Sequence, residues 1–539
     1  MVEREPAHKD AVVIGSGAAG LTAALVLRHG GVDVALVEAE ETLGGTSAIG
    51  GGNLWIPNNG PMTRAGRRDD LALANAYLRH VSGGQPKAAN AEVFIQHGAR
   101  LVAFVEEHSA LRFSSIPRHD YHPAWPGAGF GRSLEPEPFE AGHLLAERAS
   151  WFATNPDRPP FTYVEYRKGA DPDLAARRRR DDVRTQGAAL IAGLGHGCLQ
   201  AGVDVVRGTP VQSVSAYPSG KSYRVQLQDG RSIITSAIIL ATGGYSGSDL
   251  MRRATLPPVG FVSLAAGRSL GDGLRFGLDC GAALFGLGDG WLGAGHRPDD
   301  GRAPFLVVRE LALPGSMLIN ADGERFVNEA LGYNDVGKGM LQFDPARGSY
   351  YCASPWLIFG SDFRTRRPVL GVAPSAAIPE NWRMAETIEE LARLLPVPAE
   401  ALAGSVERMN EAARLGLDPQ FCRGGDAHQT FNGEPGGGPN PCLGYIATPP
   451  YFAAPITPVL CGTKGGLEVD ANARVIGRDG EVIAGLYACG DVASTIMGFG
   501  YAGAGASIGP AMTFALLAAE DALRAMKVAA LDGAGHAMR

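Results

Sequence analysis

Paired cysteines are missing from this chain. Its seven cysteines, Cys198, Cys280, Cys352, Cys422, Cys442, Cys461 and Cys489, show no C-x-x-C and no metal-like spacing. That gives a zinc ribbon, an iron–sulfur cluster or a haem attachment no foothold. An odd, scattered count fits reduced thiols buried as small apolar residues. A basic excess is missing as well. The formal net charge is −7, which argues against nucleic acid as a main partner, because phosphate neutralisation needs a basic face. The one basic run, Arg177 to Arg180, is followed at once by Asp181 and Asp182 and reads as a solvated helix end or loop. No export leader is visible in "MVEREPAHKD". The uncharged stretch between Asp10 and Arg28 is broken by Gly15, Gly17 and Gly20, too glycine-rich for a membrane span. A soluble, cytoplasmic protein is expected. No metal site is expected either, since His119 and His122 have no evident third ligand.

What the chain does have is an ordinary globular balance, 45% hydrophobic and 19% charged, with 74 glycines in 539 residues. That length buries a large core and divides into about two to four domains. So much glycine signals many places where backbone must approach something closely or take a positive φ.

The first such place follows the apolar run "AVVI" (11–14). Gly15, Gly17 and Gly20 give G-x-G-x-x-G between this buried strand and an amphipathic helix. The first glycine turns the chain, the second lets backbone reach a pyrophosphate, and the third lets helix pack on strand. The helix N-terminus then aims its N–H groups at phosphate. A second strand in "VDVALVEAE" delivers Glu38, 18 residues after Gly20, where an acid accepts ribose hydroxyls. Gly15, Ser16, Gly17, Ala18, Ala19, Gly20, Glu38 and Ala39 are therefore candidate dinucleotide contacts.

The dinucleotide expected is FAD. After Glu38 comes "ETLGGTSAIGGGNLWIPNN" instead of another helix and strand, and Gly44, Gly45, Thr46, Ser47, Gly51 and Gly52 make a second contact segment. The strand "VIAGLYACGDVAS" ends in Gly490-Asp491, suited to the ribityl chain and pyrophosphate. The strand "SAIILATGGYSG" ends in Ala241, Thr242 and Gly243, suited to closing over the cofactor. Before it, two alternating β segments flank an Asp-Gly turn at 229–230, a small crossing sheet with Val211 as an adenine contact. Residues 1–275 and 450–539 are read as one FAD domain, interrupted over 276–449 by a catalytic domain. The expected class is α/β: a Rossmann-like FAD domain with an inserted α+β substrate domain.

In their order, "GGTSAIGGGNLWIPNN", "RTQGAALI", "GDGL", "GERFVNE", "TKGGLEVD" and "GLYACGDV…MGFGYAGAGASIGPAMTFALLAA" resemble the 3-ketosteroid Δ1-dehydrogenases. These are a branch of the flavoproteins that include fumarate reductases and succinate dehydrogenase subunits. The resemblance covers essentially the whole chain. It implies FAD-dependent removal of two vicinal hydrogens from a cyclic ketone. By that resemblance Tyr501 and the Gly505 N–H hold the ketone oxygen, with Ala506 and Ile508 of the same loop against the flavin. Tyr333 takes the α-proton as a phenolate, and Tyr121 hydrogen-bonds Tyr333 to help it ionise. A phenol needs such help, its ordinary pKa being about 10.

The residues bear independently on substrate charge. Fumarate chemistry needs cationic clamps and an arginine donor, yet 479–523 contains no arginine, lysine or histidine. A neutral ketone fits that loop better. Two departures from the family pattern bear on which ketone. Ala502 and Ala504 stand where prolines are usual, and Phe499 replaces a smaller side chain. A 3-ketosteroid is the expected substrate. A smaller ketone such as 4-oxocyclohexanecarboxylate, met by cations from Arg112, Arg118 or Arg132, is the alternative. A fumarate-reductase-like enzyme and a flavoprotein without turnover are remoter ones. A quinone or other external acceptor is expected to take the electrons, and an apolar substrate leaves room for peripheral membrane contact.

Overall fold

The computed structural model describes residues 5–537 apart from 85–86, 170, 218–221, 266, 268 and 437. At its centre lies a six-stranded sheet. Its order is Arg474–Ile476, Val482–Ala488, Ala237–Leu240, Ala11–Ile14, Val34–Val37, Asp204–Val206. All neighbours run parallel except the first pair. Ile14 stands opposite both Val37 and Leu240, so three strand ends lie side by side where the glycine turns begin. The three central strands are buried throughout, as a parallel sheet covered on both faces requires. Helix Ala18–His29 covers one face and packs against the long C-terminal helix Ile508–Ala537. Leu21, Leu25, Ala515 and Ala518 share that core.

The crossing sheet is present as expected: Val211–Ala216, Tyr223–Leu227 and Ser232–Thr235, with Ala7–His8 added parallel at its edge. The Asp229-Gly230 turn places Gly230 at φ +87°, the left-handed conformation that favours glycine.

Two excursions leave this frame. One, between Val34–Val37 and Asp204–Val206, carries the helices Leu71–Val81, Ala88–His108 and Gln186–Ala201. It also holds a small sheet of Leu54–Trp55, Ser133–Pro136 and Phe113–Ser115. The basic run lies here, on helix Pro172–Arg180 capped by Asp171. Arg178 differs from the solvated expectation: it is buried and paired with Glu165 at 2.6 Å, because its face of the helix turns inward.

The other excursion builds the sheet Ser316–Ile319, Trp356–Gly360, Tyr451–Pro455, Arg383–Ala385, backed by helix Ala399–Leu415. Tyr451–Pro455 pairs with Trp356–Gly360 and Arg383–Ala385. This strand lies within the span 450–539 read as part of the FAD domain. Within this excursion "GERFVNE" forms a buried charge network. Arg325 bridges Glu329 at 2.7 Å and Asp418 at 3.0 Å, and Arg423 adds a second guanidinium on Glu329 at 3.2 Å. This knot sits four residues ahead of helix Tyr333–Gly339 and anchors the turn that delivers Tyr333.

Candidate active site

The glycines of the first turn divide their labour as their spacing suggests. Gly15 takes φ +102°, and a Cβ there would lie 2.4 Å from the Ala241 carbonyl oxygen. A Cβ on Gly20 would lie 1.9 Å from the Gly15 carbonyl oxygen, so helix and strand touch backbone to backbone. Gly17 is different: an added Cβ would meet only Ser47 Oγ, at 3.6 Å. Gly45 (φ +49°) has open space, and Gly490 (φ +79°) faces only the methyls of Ala19 and Ala511. Gly17 brings no capping side chain of its own to helix Ala18–His29, whose Ala18 N–H donates to Ser47 Oγ at 3.3 Å; a helix N-terminus of this kind suits a pyrophosphate held by N–H groups. Gly44 and Gly52, by contrast, are packing glycines, pressed on Ile191 and on the backbone at Gln186.

Glu38 accepts from the Ser16 N–H at 2.9 Å and from its hydroxyl at 2.5 Å, and that hydroxyl accepts from the Gly44 N–H at 2.9 Å. Backbone bonds from Glu38 to Val206 and from Thr209 to Glu38 bring the segment leading to Val211 alongside. Asp491 accepts from Trp291 Nε1 at 3.0 Å, and burial lifts its carboxyl to about 6. A crevice lined by Trp291, Gly490, Asp491, Ser507 and Phe514 continues from there. Donor set, open backbone and helix N-terminus together fit FAD.

Three tyrosines distant in sequence converge beyond the crevice. The Tyr501 ring lies 5.1 Å from Tyr333, 5.5 Å from Tyr121 and 5.2 Å from Trp291, centroid to centroid. Burial raises the Tyr501 phenol above its ordinary value, while hydrogen bonds from the Tyr333 and Ser507 hydroxyls and the Gly505 N–H pull the other way. Tyr333 is pushed well above the usual phenol range by burial, with Tyr501 adding to it. Tyr121 meets Tyr333 edge-on, ring centroids 6.2 Å apart.

The loop glycines serve close approach first. A Cβ on Gly505 (φ +94°) would lie 2.4 Å from the Asn53 carbonyl carbon, one on Gly503 2.7 Å from the Trp55 indole, and one on Gly509 2.5 Å from the Trp55 carbonyl oxygen. So "GYAGAG" lies flat on the strand that begins at Leu54. Ala506 and Ile508 follow at the entrance to the last helix. The loop's lack of charge is met from outside. Lys464 of "TKGG", buried, donates to the carbonyls of Phe499 at 2.9 Å and Gly500 at 2.8 Å. Burial lowers its ammonium to about 8. Phe499 itself is exposed at 63%.

Of the two histidines beside Tyr121, His122 is interior. It stacks on Trp125 at 3.7 Å with Nε2 3.4 Å from Asp335 Oδ2. Sequence reasoning missed Lys464, Ser507, Trp291 and Tyr77. Lys464 and Ser507 carried a signal, their place in the motifs that carry the resemblance.

Residues 10–508 match the family described as FAD binding domain. The chain is 34% identical to a 3-oxosteroid 1-dehydrogenase of Mycobacterium tuberculosis, over 95% of this chain and 97% of that one. It is 33% identical to a 4-oxocyclohexanecarboxylate 2-dehydrogenase of Sinomonas cyclohexanicum, over 94% and 92%. Among solved structures, a 3-ketosteroid Δ1-dehydrogenase from Sterolibacterium denitrificans, in complex with 1,4-androstadiene-3,17-dione, superimposes with a TM-score of 0.89. It shares 29% identity and covers 96% of this chain and 100% of that one.

Proposed function

The chain belongs to the FAD-dependent 3-ketosteroid Δ1-dehydrogenase family, and on that premise we propose that it desaturates a cyclic ketone next to its carbonyl, 3-ketosteroid Δ1-dehydrogenation being the reaction its relatives support. The observation that carries this reading is the convergence of Tyr121, Tyr333 and Tyr501 on one another and on Trp291, which lines the crevice beside Asp491.

Tyr501 and Tyr333 lie ring to ring at 5.1 Å, and in this reading the Tyr501 hydroxyl turns its hydrogen to the substrate. A ketone oxygen entering between Tyr501 and Gly505 takes the Tyr501 hydrogen and draws the Gly505 N–H away from the Tyr501 oxygen, and both bonds strengthen as enolate character develops. Tyr333, as phenolate, accepts the α-proton. Bound FAD supplies the acceptor for the hydride leaving the β-carbon. Ser16, Gly17, Glu38 and Asp491 would hold the ribose, pyrophosphate and ribityl groups of bound FAD. Lys464 holds the Tyr501 loop, and the buried aromatic walls exclude water from the proton transfer. Electrons then pass to a quinone or another external acceptor. Among the described residues no helix is long and apolar enough to cross a membrane, and an apolar ketone would be met by peripheral contact.

The test is anaerobic mixing of the oxidised holoenzyme with androstenedione and with 4-oxocyclohexanecarboxylate while flavin absorbance is followed. Bleaching by either ketone is expected. Fumarate reoxidising the reduced protein while neither ketone bleaches it would sink the reading.

A further inference from the structure

The Arg118 guanidinium is a cation that the desaturation machinery leaves unused. It is 5% exposed and lies against three rings, Tyr121 at 5.2 Å, Phe431 at 5.2 Å and Tyr163 at 5.4 Å. Nη2 contacts His428 Nδ1 at 3.3 Å and Nη1 donates to the Tyr163 hydroxyl at 3.4 Å. Its buried Nε has no hydrogen-bond partner. Among the described residues no carboxylate pairs with it.

The other cations of the same loop are occupied. Arg132 is clamped between Asp69 at 2.7 Å and Asp120 at 2.8 Å. Arg112 is exposed and bonds the carbonyls of Glu106 and Leu111. The nearby Glu135 carboxylate is spent on the N–H groups of Tyr163 and Val164. His428 offers no compensation either. Burial, with Arg118 beside it, drives it well below the usual histidine range, and its Nδ1 faces a group that only donates. A second cation gathers at the same box, Arg167, 4.1 Å from the Phe431 ring centroid. It too has no ion-pair partner among the described residues.

A buried charge without a counter-ion is costly, and aromatic faces offset only part of that cost. A buried guanidinium with a free donor, stacked on rings, is the arrangement that receives a planar carboxylate. Arg118 also rests on Tyr121, one ring away from Tyr501. We propose that Arg118 is an anion subsite for the substrate, so that the ketone this chain turns over carries a carboxylate close to its reacting ring. This rests on the cyclic-ketone reading and narrows what that ring bears. The partner is a single-ring oxo acid, because a charge at the far end of a four-ring skeleton would not lie beside Tyr121.

The experiment compares 4-oxocyclohexanecarboxylate, its methyl ester and androstenedione as anaerobic reductants of the holoenzyme flavin. The acid is expected to exceed the ester in rate constant over Kd by about 10²-fold. Arg118→Met should remove most of that difference through Kd, and Arg118→Lys should restore part of it. Non-reacting cyclohexanecarboxylate should perturb the flavin spectrum of the unaltered protein but not of Arg118→Met, whose flavin content reports that it has folded. Ester or androstenedione reacting as well as the acid would overturn the proposal. So would equal losses for acid and ester in Arg118→Met, since Arg118 would then act only through Tyr121. If no ketone reduces the flavin, the desaturation reading falls, and Arg118-dependent binding of cyclohexanecarboxylate still decides the subsite.

Discussion

The backbone N–H of Tyr121 donates to the carbonyl oxygen of Ala502, 3.1 Å away. The hydroxyl of Tyr77 reaches the same oxygen at 2.8 Å, and the His122 N–H reaches that hydroxyl at 3.3 Å. Two loops from opposite ends of the chain are thus tied at the residue after Tyr501. The loop holds Ala502 and Ala504 and no proline before Pro510, so its order comes from these bonds and from the glycines lying on Asn53 and Trp55 rather than from a fixed φ.

Replacing Tyr501 by phenylalanine removes the hydroxyl assigned to the ketone oxygen. Flavin reduction should slow about 10²-fold or more, with little change in substrate Kd. Rapid mixing measures both, and an unchanged rate would remove Tyr501 from the mechanism.

Tyr333 needs to be a phenolate, yet burial raises its phenol well above the ordinary value. The ionised fraction therefore grows about tenfold for each pH unit below that pKa. Flavin reduction should rise with pH from about 6 to about 9, and the slope should vanish in Tyr333→Phe. A flat profile in the unaltered enzyme would assign the base elsewhere.

Lys464→Met removes both donors to the Phe499 and Gly500 carbonyls and one of the two ammonium partners of Asp289. The loop that aims Tyr501 should loosen and reduction should slow about 10-fold or more, with FAD still bound. Stopped-flow rates and flavin content separate this outcome from simple unfolding.

Arg325→Met leaves Glu329 buried beside a single guanidinium and should cost about 3–5 kcal/mol, read as a lowered denaturation midpoint. Burial alone would raise the Glu329 carboxyl, but Arg325 and Arg423 outweigh it and hold it below its ordinary 4.5. Asp418 is likewise held below its ordinary 3.8, the Arg325 hydrogen bond outweighing burial. A depressed carboxylate stabilises the fold above its ordinary pKa and loses that contribution as pH falls through the folded one. The unaltered protein should therefore lose stability on acidification below about pH 4.5, and Arg325→Met should show a shallower acid dependence.

The nucleotide half of this protein was legible in one dimension. A turn that must take positive φ, a backbone that must face phosphate and an acid on the next strand act over short chain distances, so residue type and spacing reveal them. Gly15, Gly17, Gly20 and Glu38 stand where that logic places them. The desaturation site was legible only through resemblance. Its tyrosines lie on the loops around 121, 333 and 501, and nothing local tells a catalytic phenol from a packed one. Tertiary structure decided three further matters. Lys464 reaches a loop that carries no charge of its own. Tyr333 comes ring to ring with Tyr501. Arg118, one of three arginines the sequence offers equally, has no carboxylate partner among the described residues. Each depends on which side chains meet across hundreds of residues, and on which charges burial leaves unpaired. Chain-local spacing holds no record of either.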